Sequence, residues 1–162
     1  MRWKQRQMSK EETILIIGAG PAGVFTALEL LRKGYEGGLI TIVEKGPSIE
    51  KRRCAKHTCG KCINCNPCHI TTGFSGAGAF SDGKLSLSPD VGGDFPDLVG
   101  YEETQRLINY ADEIYLQFGA DPHIEGIEHE NEVKEIRKRA IKAGLTLVDC
   151  PIRHLGTEKA QE

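Results

Sequence analysis

Residues 13–44 read "TILIIGAGPAGVFTALELLRKGYEGGLITIVE". The apolar run Ile14 to Ile17 meets a glycine turn; Val24, Ala27, Leu28 and Leu31 then recur at helical spacing, and a second apolar run, Leu39 to Val43, ends at Glu44. Two short apolar runs around an amphipathic helix make a β-strand, α-helix, β-strand unit. Gly18, Gly20 and Gly23 place the pattern G-x-G-x-x-G where the first strand gives way to the helix. The first glycine permits the tight turn, the second lets a pyrophosphate approach the backbone, and the third lets the helix lie close on the strand. The amides and positive dipole end of a helix start suit phosphate, so Gly18, Gly20, Pro21, Ala22 and Gly23 form the candidate cradle. Glu44 lies 26 positions beyond Gly18 and ends the second strand. A carboxylate there accepts hydrogen bonds from the adenosine ribose hydroxyls and repels a 2′-phosphate, which disfavours NADP at this site. Lys45, next to it, joins the candidate set. The fingerprint does not separate FAD from NAD, because both present an ADP half, and a unit kept only as scaffold is the alternative.

Outward from this unit, the chain has 162 residues, a formal net charge of -2 and 39% hydrophobic residues, an ordinary globular composition with length for one modest core. So small a net charge gives no global pull toward nucleic acid or an anionic membrane. The opening "MRWKQRQMSKEE" is polar, and "ILII" is far too short for a spanning helix or a secretory core, so a cytoplasmic protein is expected. Residues 1–10 read as a disordered extension. Residues 88–100, "SPDVGGDFPDLVG", read as a loop. Over 102–118, Leu107, Ile108, Ala111, Ile114, Tyr115 and Phe118 share one helical face, stopped by Gly119. A second helix, near 128–143, turns Val133, Ile136, Ala140 and Ile141 inward, and "LTLV" then reads as a strand. Its basic run "KEIRKR" shares the helix with Glu128, Glu130, Glu132 and Glu135, which makes a solvated face rather than a nucleic-acid surface. His123, His129 and His154 read as surface or loop residues.

Between the βαβ unit and a glycine-rich stretch lies "KHTCGKCINCNPCHI", residues 56–70. Cys59, Cys62, Cys65 and Cys68 stand at a spacing of three, with Cys54 upstream. Five cysteines within fifteen residues close no long loop, so metal or redox chemistry is expected of them rather than a disulfide scaffold. One reading makes Cys59, Cys62, Cys65 and Cys68 ligands of an iron–sulfur cluster or zinc. The run begins like a bacterial ferredoxin motif but does not continue as one, and the two C-x2-C pairs are close together for tetrahedral zinc. A second reading pairs Cys54 with Cys59 in a redox disulfide, at a placement resembling that of the pyridine nucleotide disulfide oxidoreductases. "EKRR" replaces the glycines expected there, although Arg52, Arg53 and Lys56 would favour thiolate. In a third reading the thiols are structural only.

The stretch "GFSGAGAFSDGKL", from Gly73 onward, mixes Gly73, Gly76, Gly78 and Gly83 with small residues, and Phe74 and Phe80 serve as anchors. Such a loop can run close to a flat or phosphorylated ligand. Gly76, Gly78, Ser81 and Asp82 are its candidate contacts; a surface loop using glycines for turns is the alternative.

"ILIIGAGPAG", "TIVEKGP", the cysteine run, "GFSGAGAFSDGKL" and "IRHLGT" together resemble the N-terminal part of a family of uncharacterised FAD-dependent dehydrogenases. The resemblance spans nearly the whole chain but only the opening portion of that family's length. It implies an α/β, Rossmann-like FAD-binding domain with a parallel sheet, of which residues 11–162 are the N-terminal portion, with a cysteine-rich insert at 54–68 and a glycine-rich loop at 73–83. It also implies that Gly18, Gly20, Gly23 and Glu44 hold the ADP half of FAD. NAD(P)H as electron donor and a small-molecule substrate or electron carrier as partner follow from the same resemblance. The family pattern has an aspartate after "HLGT" where this chain has Glu158. No catalytic residue is assigned, since in flavoenzymes the hard chemistry belongs to the cofactor. The competing class is a non-enzymatic metal-binding module on a Rossmann scaffold.

Overall fold

A computed structural model of the chain describes residues 9, 11–80 and 83–156. They gather into two compact units, one formed by residues up to Phe80 and the other by those that follow. Ser81, Asp82 and Glu158 lie outside the described residues, as does nearly all of the expected extension at 1–10.

The first unit contains the expected βαβ element. Strand β1 (Ile14–Ile17) and strand β2 (Ile40–Val43) pair in parallel, with Ile14 opposite Ile40 and Ile17 opposite Val43. Helix α1 (Pro21–Arg32) joins them, with Gly20 as N-cap and Pro21 as first residue, where its fixed φ suits the helix and its missing N–H costs nothing. Leu39 ends a 3-10 turn at Gly37–Leu39 rather than opening the strand. The helix lies close on β1: a Cβ at Gly23 would sit 2.0 Å from the Gly18 carbonyl oxygen and 3.3 Å from Ile16 Cγ2. The opposite face of the pair is bare, with Leu15 60% and Ile17 84% exposed. Beyond β2 the chain runs through a short helix α2 (Lys56–Cys59), closed by Gly60 at φ +71°, and irregular backbone to a 3-10 turn at Ala77–Phe80.

The second unit has a three-stranded antiparallel sheet in the order β3 (Lys84–Ser86), β5 (Ile152–His154), β4 (Ile124–Glu125). Helices α3 (Phe95–Val99), α4 (Tyr101–Gln117) and α5 (Glu130–Lys142) complete it. Buried Arg153 grips Asp112 of α4 through two hydrogen bonds of 2.6 and 2.8 Å, and donates to the Pro122 carbonyl.

The fold is thus mixed α/β, and its parallel sheet amounts to two strands among the described residues; a full Rossmann sheet is not present in them. The remaining strands, such as "KLS" and "IRH", mix polar and apolar residues, which suits half-exposed antiparallel pairing rather than burial on both faces. The expected strand "LTLV" is irregular: Leu145 is 64% exposed, and the sheet takes Ile152–His154 instead. His154 accordingly lies in a strand, and the loop expected at 88–100 contains α3, with Pro96 in its first turn. Helices α4 and α5 form where the periodicity predicts them. Their apolar faces bury little, however: Ile114 and Ala140 are buried, whereas Phe118 follows the helix end and Ile136 and Ile141 are exposed.

The two fingerprint glycines fail differently on substitution. Gly23→Ala forces its Cβ into backbone and is expected to destabilise the first unit by about 1–3 kcal/mol, the usual cost of overpacking. Gly20→Ala meets nothing within 4 Å and is expected to cost less, about 0.5–1 kcal/mol, as the loss of a glycine N-cap. Urea unfolding of the two variants checks the ordering, and equal midpoints would contradict it.

Candidate dinucleotide-binding site

The Glu44 carboxylate joins the end of β2 to the glycine turn. Its Oε2 accepts the Ala19 N–H at 2.8 Å and its Oε1 accepts the Gly46 N–H at 2.9 Å. The Gly18 N–H donates to the Val43 carbonyl at 2.7 Å, which fixes the same junction through backbone alone. The Ala19 amide, then the Gly46 amide, hold the Glu44 carboxyl below its ordinary value, with the Gly73 and Lys45 amides adding to them. Lys45 therefore reaches the carboxylate through its backbone. Ala19 and Gly46 thus occupy one lone-pair direction on each carboxylate oxygen, with the Gly73 and Lys45 amides beside the others.

Gly20 is extended, and a Cβ there would have open space around it. The first helical bond runs from the Val24 N–H to the Gly20 carbonyl at 3.0 Å. The amides of Gly20, Ala22 and Gly23 therefore have no acceptor within the helix. Amides without helical partners, beside space that glycine leaves clear, fit a pyrophosphate.

The glycine-rich loop borders this turn. The Ser75 N–H donates to the Ala19 carbonyl at 2.8 Å, and a Cβ at Gly76 would sit 3.1 Å from both Gly20 Cα and Pro21 Cδ. Gly76 has φ +70°, so both its conformation and its neighbours require glycine. Gly46 and Gly73 make a second close approach, with a Cβ at Gly46 falling 2.5 Å from the Gly73 nitrogen. Gly78 lies in the 3-10 turn with open space around it. The candidates Ser81 and Asp82 lie outside the described residues.

Arg52 holds the loop in place. It is 3% exposed. Its Nε donates to the His69 carbonyl at 2.8 Å, Nη2 to Ile70 at 2.7 Å, and Nη1 to Phe74 and Gly76, each at 2.6 Å. The guanidinium also lies 4.4 Å from the Phe80 ring centroid. Burial pushes its pKa down, and the charges of Glu44 and Cys68 oppose that shift. Sequence reasoning took Arg52 only as a helper of nearby thiols. Nothing in the local sequence marks it for that role, because its partners are backbone carbonyls 17 to 24 residues away.

The cysteines are arranged otherwise than expected. Cys54, Cys62, Cys65 and Cys68 line an open cavity of about 240 Å³ together with Arg53, Lys56 and His69. Cys59 is not part of the lining, and its thiol donates to the Lys61 carbonyl at 3.1 Å. The set Cys59, Cys62, Cys65 and Cys68 is thus not gathered, nor does the Cys54 and Cys59 pair share this cavity. Among the described residues no three His, Cys, Asp or Glu side chains are grouped to hold a metal ion. The Thr71 amide, then the Ile70 amide and the Thr71 hydroxyl, lower the Cys68 thiol below its ordinary value, with Arg52 adding a smaller effect.

Comparison with known proteins finds an uncharacterized protein of Clostridium beijerinckii that is 40% identical over 73 residues. The match covers 44% of this chain and 13% of that protein. No family model and no solved structure matches the chain. No described helix is long and apolar enough to cross a membrane.

Glu44 makes a pH prediction. Its folded pKa is lowered, so its contribution to stability is fully present above its unfolded value near 4.5 and is lost as the pH falls through the folded value. Acid titrations of unfolding midpoints on the wild type and Glu44→Gln are expected to show a steeper acid loss in the wild type. Parallel curves would contradict that role.

Proposed function

We propose that this chain is the N-terminal, FAD-binding portion of a flavin-dependent oxidoreductase of the dehydrogenase type. The observation that supports it best is the division of labour between Gly20 and Gly23. Gly23 is needed by the fold, since a side chain there meets backbone, whereas Gly20 borders open space and is not. A glycine with no internal reason, beside amides that lack helical acceptors, suits a ligand that must approach the backbone. Glu44 at the end of β2 supplies the acceptor for the ribose and favours an unphosphorylated 2′-position. The choice of FAD over NAD rests on the resemblance of "GAGAFSDGKL" and its neighbours to the FAD-dependent dehydrogenases, together with the packing of Ser75 and Gly76 against the fingerprint turn.

When bound, FAD would supply the redox chemistry. The chain's own residues do the holding: the amides of Gly20, Ala22 and Gly23 take the pyrophosphate, and Glu44 takes the adenosine ribose. Gly76 and Gly78 line the approach, with Arg52 fixing the loop's shape. NAD(P)H as electron donor, a small-molecule substrate or carrier, and a cytoplasmic location complete the proposal. The bare apolar face of β1 and β2 supports reading the chain as part of a larger domain, in which further elements cover Leu15 and Ile17.

Gly20→Val provides the test. A Cβ there meets nothing within 4 Å, and the branched side chain is expected to take the space the pyrophosphate needs. Titration of the protein into FAD, followed by flavin fluorescence and anisotropy, is expected to give binding for the wild type and its loss for the variant, with unchanged far-ultraviolet circular dichroism. Equal affinity in a folded variant would sink the assignment.

A further inference from the structure

We infer that Cys65 and Cys68 form a redox-active dithiol on the wall of the 240 Å³ cavity, with Cys68 as the attacking thiol, Cys65 as the resolving thiol, and a small anionic disulfide as the oxidant. This site does not depend on the dinucleotide reading.

Four observations carry it. The sequence Cys65-Asn66-Pro67-Cys68 has the C-x-x-C spacing found in dithiol redox motifs. Both line the cavity, and Cys68 is exposed whereas Cys65 is only partly so, the arrangement of an accessible nucleophile with a recessed partner. Their hydrogen bonds separate Cys68 from the next C-x-x-C pair, Cys62 and Cys65. The Cys62 thiol donates to Asn64 Oδ1 at 3.5 Å, whereas the Thr71 amide, then the Ile70 amide and the Thr71 hydroxyl, lower the Cys68 thiol below its ordinary value. Finally, Arg53 and Lys56 line the cavity and Arg52 acts on Cys68 through space, so an approaching disulfide that carries carboxylates meets the cationic Arg53 and Lys56. A metal centre would need three or more ligating side chains drawn together, and the described residues hold none so placed.

The reaction proceeds in two exchanges. The Cys68 thiolate attacks one sulfur of the small disulfide, forming a mixed disulfide while the other half leaves as thiolate and takes a proton from water. The Cys65 thiol then loses its proton and attacks the Cys68 sulfur. The intramolecular disulfide forms as the second small thiol departs. Two thiols are oxidised, and one disulfide is reduced to two thiols.

The test treats the reduced full chain with oxidised glutathione and follows it by intact mass and peptide mapping. The wild type is expected to lose two hydrogens, located in a Cys65–Cys68 disulfide. Cys65→Ser should stop with one glutathione on Cys68, Cys68→Ser should lose both products, and Cys59→Ser should match the wild type. Mapping of the wild type decides the matter even if a variant misfolds. A disulfide elsewhere in the cluster, first modification of another cysteine, or no oxidation would overturn the proposal. So would zinc or iron that co-purifies at one per chain and shields these thiols until chelated.

Discussion

A buried guanidinium sets the shape of the candidate site. The backbone from Gly60 to Gly76 contains no helix or strand, so its carbonyls must find donors elsewhere. Arg52 supplies them to His69, Ile70, Phe74 and Gly76 at once. Each buried carbonyl left without a donor would cost about 1–3 kcal/mol, so this one side chain outweighs any single apolar contact nearby. Lysine could not replace it, because only a planar fork reaches four carbonyls in different directions. Its position also links two chemistries, since the charges of Glu44 and Cys68 both act on it.

The rest of the first unit depends on backbone meeting backbone. Among the described residues Ala19 and Ala79 are its buried apolar ones, and no large side chain is fully buried. Close approaches at Gly23 and Gly18, Gly46 and Gly73, and Gly76 and Gly20 do the packing instead. Such contacts bury little apolar surface but hold geometry tightly, as a ligand cradle requires. They also leave little stability in reserve, in keeping with a sheet pair covered on one face only.

Much of this was legible in the sequence. The strand, turn, helix and strand of residues 14–43 follow from two apolar runs and three glycines, because short-range periodicity and turn chemistry act there without long-range help. Glu44 was legible from its place at a strand end, though not its bonds to Ala19 and Gly46. Helices α4 and α5 were legible from periodicity, but the exposure of Ile136, Ile141 and Phe118 was not, because a helix face reports only that it is apolar and not what covers it. "LTLV" has strand composition and no pairing partner, and pairing is a long-range property. The cysteine spacing signalled chemistry, yet which thiols share a cavity depends on the turns between them. Arg52 carried no local signature, since its partners are carbonyls contributed by a segment 17 to 24 residues away.

The central claim is that the turn between β1 and α1 holds the ADP half of a dinucleotide whose ribose 2′-hydroxyl is free. An amide-resolved nuclear magnetic resonance titration of the wild-type chain with ADP, and in parallel with its 2′-phosphorylated analogue, tests this most directly. The account predicts saturable shifts of the Gly20, Ala22 and Gly23 amides with ADP and weaker binding of the analogue, with the difference reduced in Glu44→Gln. Amides at Gly20, Ala22 and Gly23 that do not respond, or equal affinity for the two nucleotides, would contradict it.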